Sequence, residues 1–122
     1  MPYAYQKSER IRKNREFVAT MKGKRLSLEG LSIFYAANET GNFRVGISVS
    51  KKLANAVNRN RLKRRIRNSV MQALTGHTLG YDLVFVARQP LYSAGYEQIV
   101  KAVHAVLGRT VLRNQNPEGS RP

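Results

Sequence analysis

The chain predicts an α+β fold, a two-layer sandwich in which helices pack on a small sheet. Three observations carry this. Residues 31–36 and 43–50 alternate apolar with small or polar side chains, a period of two. Residues 82–88 form a near-continuous apolar run, as a central strand does. Residues 56–75 and 93–107 repeat apolar residues at helical spacing. The predicted order is helix, strand, strand, helix, strand, helix, with room for a short extra strand in Lys24–Glu29. The 122 residues fit one domain. It is expected over 1–113, with 1–13 as a basic arm and 114–122 as a disordered tail.

Each element has a local reason. Asn14 is a good N-cap and Glu16 suits a first turn, so the first helix starts there. Phe17 and Met21, four apart, share a face, and Gly23 stops the helix. In the first strand Leu31, Ile33 and Tyr35 face one way, and Ser32 and Phe34 the other. Asn38–Asn42, with Gly41, reads as a turn. The strand Phe43–Ser50 has Val45, Ile47 and Val49 on its apolar face. Its other face, Arg44, Gly46, Ser48 and Ser50, is small and polar and leaves room for a ligand. Asn55 caps the long helix, and Gly76 and Gly80 bound the turn after it. Pro90 ends the strand Asp82–Arg88, and Ser93–Leu107 forms the last helix on a stripe of Ile99, Val103, Val106 and Leu107.

At 100° per residue, the long helix puts Leu62, Ile66, Val70, Ala73 and Leu74 on one stripe. Asn60, Arg61, Arg64, Arg67 and Asn68 fall opposite, Lys63 and Arg65 at the borders, and Arg59 in the first turn. Six cations occupy the nine positions from Arg59 to Arg67, and no acid occurs between Glu39 and Asp82. The whole chain carries 22 Lys and Arg against 7 acids, a net charge of +15. Such an excess seeks a polyanion. Solvated helix faces normally mix signs, because opposite charges one turn apart stabilise a helix. A face of cations alone therefore points to RNA or DNA. Arginine, a planar fork for phosphate that also stacks on bases, favours a structured RNA surface.

Other chemistries are disfavoured. With no cysteine and two isolated histidines, His77 and His104, neither a disulfide framework nor a zinc site is expected. The acids Glu9, Glu16, Glu29, Glu39, Asp82, Glu97 and Glu118 are dispersed, whereas a metal-dependent nuclease needs carboxylates that converge. The glycines match no phosphate-loop spacing. No apolar run approaches a membrane span, and the N-terminus lacks the apolar core of a secretory signal, so a cytoplasmic binding protein is expected. Phe17 and Tyr35 could pack in the core or stack on unpaired bases.

Arg59-Asn60-Arg61, followed by Lys63-Arg64 and Arg67, closely resembles the bacterial ribonuclease P protein subunit. The stretch from Phe43 to Lys52 directly before Ala54–Val57 adds to the match, which runs over about residues 7–108. The resemblance implies a left-handed crossover through the basic helix, in a mixed sheet. It also implies a small protein that helps a catalytic RNA remove the 5′ leader of precursor tRNA, with magnesium held mainly by the RNA. No protein catalytic residue, protein-held metal or protein partner is then expected. By position, Arg59, Asn60, Arg61, Lys63, Arg64, Arg65 and Arg67 would contact the RNA subunit. Phe17, Met21, Tyr35, Ser48, Ser50 and Lys52 would line a cleft for the leader. Met21 stands where the family often has a second aromatic. A ribosomal or RNA-chaperone protein, and a protein-only nuclease, are the alternatives.

Overall fold

The computed structural model describes residues 14–39, 41–50, 52, 55–77 and 80–112, with side chains from Val18 onward. The expected arm 1–13 and tail 114–122, and the side chain of Phe17, lie outside the described residues. The elements run α1 (Asn14–Met21), β1 (Lys24–Leu28), β2 (Leu31–Ala37), β3 (Arg44–Ser48), α2 (Ala56–Leu74), β4 (Tyr81–Ala87), α3 (Gln89–Tyr92) and α4 (Tyr96–Gly108).

The four strands form one mixed sheet in the order β1-β2-β4-β3. β4, the most apolar segment, is central as its composition requires: it pairs antiparallel with β2 and parallel with β3. A parallel pair needs a long crossover, and α2 supplies it. The extra strand is real. β1 closes on β2 through a two-residue turn in which Leu28 faces Leu31. Glu29 (φ 56°) and Gly30 (φ 81°) are both left-handed there, the backbone of a type I′ hairpin turn. Gly23 joins α1 to β1 where a Cβ would stand 2.7 Å from the Tyr35 carbonyl oxygen, so a larger residue would force the two apart.

One face of the sheet carries the core. Leu31 and Ile33 of β2, Val45 of β3, and Leu83 and Phe85 of β4 pack with Leu62, Ile66, Val70 and Leu74 of α2. Ile99, Val103, Val106 and Leu107 of α4 complete the cluster. The apolar stripes predicted for α2 and α4 are thus the buried ones. α2 gains a second buried row: Met71 is 7% exposed, and Arg67 is half-buried with its Nε withdrawn from solvent. The second face is smaller: Phe34 and Val84 form its apolar patch, with Val86 against them. α1 contacts β2 and β4, and its described side chains stay out of the main cluster, which assigns it to this second face.

Three boundaries differ from expectation: β3 spans Arg44–Ser48, short of the expected Phe43–Ser50, and two differences surround the last helix. The last helix starts at Tyr96 rather than Ser93, with Gly95 as N-cap and its amide donating to the Gln98 side chain at 3.1 Å. The residues just before it form α3, a single turn with Pro90 in its opening positions. Pro90 ends the strand as read, but it also starts a helix, because its missing N–H costs nothing at a first turn.

Candidate nucleic-acid interface

α2 positions its cations by burying the opposite side. Asn55 caps it, its side chain accepting from the Asn58 amide at 2.8 Å. Capping of this kind contributes about 1 kcal/mol. Leu62, Ile66, Val70 and Leu74 then fix the helix's rotation. Asn60, Arg61 and Arg64 are left exposed; Arg59, Lys63, Arg65 and Arg67 are half-buried on the flanks. The ridge has two rows: Arg59, Lys63 and Arg67 descend one flank at intervals of four, and Arg61 and Arg65 the other. Five pairs of these cations stand three or four apart along the helix. Like-charge pairs at that spacing destabilise an isolated helix by about 0.2–0.5 kcal/mol each. No acid offsets them in the first turn. Tertiary packing holds the helix against this repulsion, which a polyanion would remove.

The second sheet face divides the remaining expected residues. Register and strand alternation place Ser48, Val86, Ser32 and Ser27 in one row across the sheet, and Gly46, Val84, Phe34 and Arg25 in the next. Ser48 is half-buried, Ser50 and Lys52 are exposed, and Met21 at the end of α1 is 40% exposed. The Ser50 hydroxyl accepts from the Lys52 amide at 3.1 Å, a local turn bond. The Ser50 amide donates to the Tyr92 hydroxyl at 2.8 Å, which ties this loop to α3.

Tyr35 does not join them. It packs against the main core on the opposite face, its ring 6.3 Å from that of Tyr81. Expecting it beside Ser48 was incorrect: strand alternation puts Phe34 there instead, and β2 already showed that parity in its sequence. Phe34 is 8% exposed, with the Arg25 guanidinium 5.8 Å from its ring centre, so it forms a floor under a cation. A second cation, Arg88, donates from Nε to the Ser32 hydroxyl at 3.0 Å, and Ser32 in turn bonds Ser27 at 2.6 Å. Arg25 and Arg88 were missed because Arg25 reads as one more charge of the N-terminal basic run, beside Lys22 and Lys24, and Arg88 stands alone after its strand; only the folded sheet brings them to this face.

Arg44 has a structural role. Its Nε and Nη2 each donate to an Asp82 oxygen at 2.8 Å, and Asn38 Nδ2 donates to the same carboxylate at 2.7 Å. Burial pushes the Asp82 carboxyl up, but hydrogen bonds from Arg44 and Asn38 and the Arg44 charge outweigh it and hold its pKa below the ordinary carboxylate value. The network locks the parallel β3–β4 pair, since Arg44 and Asp82 are register partners. Among the described residues no three His, Cys, Asp or Glu side chains converge, and the Asp82 oxygens already have partners. The residues described here do not fit a protein-held magnesium ion. None of the described helices is long and apolar enough to cross a membrane.

Residues 5–111 match the family model for ribonuclease P. A ribonuclease P protein component from Bacillus cereus is 36% identical over 109 residues, covering 88% of this chain and 95% of its own. The solved RNase P protein of Staphylococcus aureus superposes with a TM-score of 0.77 at 38% identity, over 84% of this chain and 95% of that one. That of Thermotoga maritima superposes with a TM-score of 0.75 at 28% identity, over 83% and 96%. An acid-free arginine helix crossing between parallel strands, and a sheet and helices shared over nearly the full length of these proteins, have one explanation: the chain belongs to the ribonuclease P protein family.

Proposed function

We propose that the protein is the protein component of ribonuclease P and works in the cytoplasm by binding energy alone. The observation that carries this is the α2 ridge, where seven polar residues from Arg59 to Arg67 are presented on a rigid, capped helix with no acid among them. The ridge docks on the RNA subunit, neutralises its phosphates and stabilises its active fold. The second sheet face, with Met21, Ser48, Ser50, Lys52 and the Phe34 floor, holds the single-stranded 5′ leader of precursor tRNA, and Phe17 supplies the stacking surface that the resemblance implies. Precursor is thereby favoured over mature tRNA. Hydrolysis, and the magnesium it uses, belong to the RNA subunit. A ribosomal or RNA-chaperone role is not favoured, since both the sequence and structural relatives are ribonuclease P proteins.

The test is reconstitution with a cognate catalytic RNA at low magnesium, following release of the 5′ leader. Added protein is expected to accelerate release, and protein freed of RNA to release none. Cleavage by the RNA-free protein, or an unaltered rate on adding it, would overturn the reading.

A further inference from the structure

A groove of about 320 Å³ opens between α2 and the α3–α4 corner, next to the Ser50 loop. Leu62 of α2 and Ile99 of α4, both buried, lie at its floor, and the rest of its lining, Asn58 included, is mostly polar. Arg61 and Arg65, one of the two cation rows, form one wall. Tyr92, Ser93 and Ala94 form the other, and none of the described residues lining it is a carboxylate. The Tyr92 ring is held in place through its hydroxyl, which accepts from the Ser50 amide at 2.8 Å. An apolar floor, a fixed aromatic wall and two guanidiniums match one nucleotide: a base to bury and a phosphate to fork. The volume lies at the low end of pockets that hold small ligands, too small for a duplex.

We infer that this groove captures one unpaired nucleotide of the RNA subunit, its phosphate on Arg61 and Arg65 and its base against Tyr92 and the Leu62–Ile99 floor. The inference rests on the RNA-subunit reading of α2. Arg61 faces both the exposed ridge and the groove, so a strand whose backbone follows the ridge can turn a base inward without leaving the helix. α2 then holds its RNA in two ways: phosphates along Arg59, Lys63 and Arg67, and one extruded nucleotide on the opposite flank. The groove selects for an unpaired position in the RNA, which a phosphate ridge cannot do.

Ser93 is exposed at the groove wall and sits at φ −105°, ψ 10°, a conformation open to any L residue. Ser93→Trp fills the groove and Ser93→Glu sets a carboxylate beside the arginines; neither disturbs the core. Each is expected to weaken RNA-subunit binding about tenfold at fixed salt, the size of one lost base contact. Since the chain has no cysteine, Ser93→Cys carrying a photoreactive group should crosslink to a single unpaired nucleotide. Unchanged affinity in both the Trp and Glu variants overturns the inference. If replacing Arg61 and Arg64 also leaves affinity unchanged, the RNA-subunit reading falls with it; if that replacement does weaken binding, only the groove fails. Titration with adenosine 5′-monophosphate separates the remaining source: micromolar binding that Ser93→Trp abolishes, with RNA-subunit affinity intact, makes the groove a free-nucleotide site and contradicts the inference.

Discussion

Asp82 shows how much one carboxylate does at the seam of the sheet. Its side chain is 13% exposed and that of Arg44 21%, so the pair is shielded from water without being sealed off. Its pKa in the folded protein lies below the ordinary carboxylate value, so the pair stabilises the fold above the ordinary carboxylate range. That contribution is lost as pH falls through the lowered value. Asp82→Asn is expected to cost about 1.5–3 kcal/mol at pH 7, the range for hydrogen bonds to charged groups. The gap between variant and parent should close as pH drops below about 4. Urea unfolding from pH 7 to pH 3 at constant salt checks this; a gap that stays constant contradicts it. Arg44 reads in the sequence as one more cation of a basic patch, because its partner lies 38 residues away. Phe34 and Tyr35 teach the complementary lesson. Their alternation was legible, and the resemblance-based placement of Tyr35 beside Ser48 ran against it. The local period of two decided the outcome, since a strand cannot turn neighbouring side chains to the same face.

Elements were legible in proportion to how strongly their own residues specify them. α2 and β4 have long periodic or continuous apolar patterns, and both formed where expected. α3 was not legible: four residues around Pro90 carry no period, and their helix depends on how the chain leaves β4 for α4. The groove beside α3 was hidden for the same reason, since Tyr92 reaches Ser50 only across the fold. The functional prediction at this scale concerns α2. If α2 neutralises about six phosphates, log affinity for the RNA subunit should fall against log salt with a slope of about −4 to −5. Replacing Arg61 and Arg64 with Ala should flatten the slope by roughly one to two units, as each lost phosphate contact removes about one. Equilibrium binding between 50 mM and 400 mM salt measures it, and an unaltered slope counts against α2 as the docking element.

At the scale of the whole molecule, the sheet separates two surfaces. One face is sealed by α2 and α4, so α2 can present its cations outward from a rigid base. The other face keeps only the small Phe34–Val84 patch and remains partly open beside Ser48. A net charge of +15 speeds encounter with any RNA but cannot tell one RNA from another; discrimination has to come from these surfaces. They are joined through Tyr92, whose ring lines the α2 groove and whose hydroxyl holds the Ser50 loop. On the proposed function, the polypeptide binds two RNAs on two faces and leaves bond cleavage to one of them. The most direct measurement takes the reconstituted holoenzyme with Arg61 and Arg64 replaced by Ala, with Phe17→Ala, and with all three. RNA-subunit affinity and the ratio of precursor to mature tRNA binding are read on each. The arginine pair should lower the first by tenfold or more and spare the second. Phe17→Ala should reduce the ratio by about one stacked base, roughly 1–3 kcal/mol, and spare the first, with the effects adding in the combined variant. Both readings falling together in each variant, or neither moving, contradicts the account.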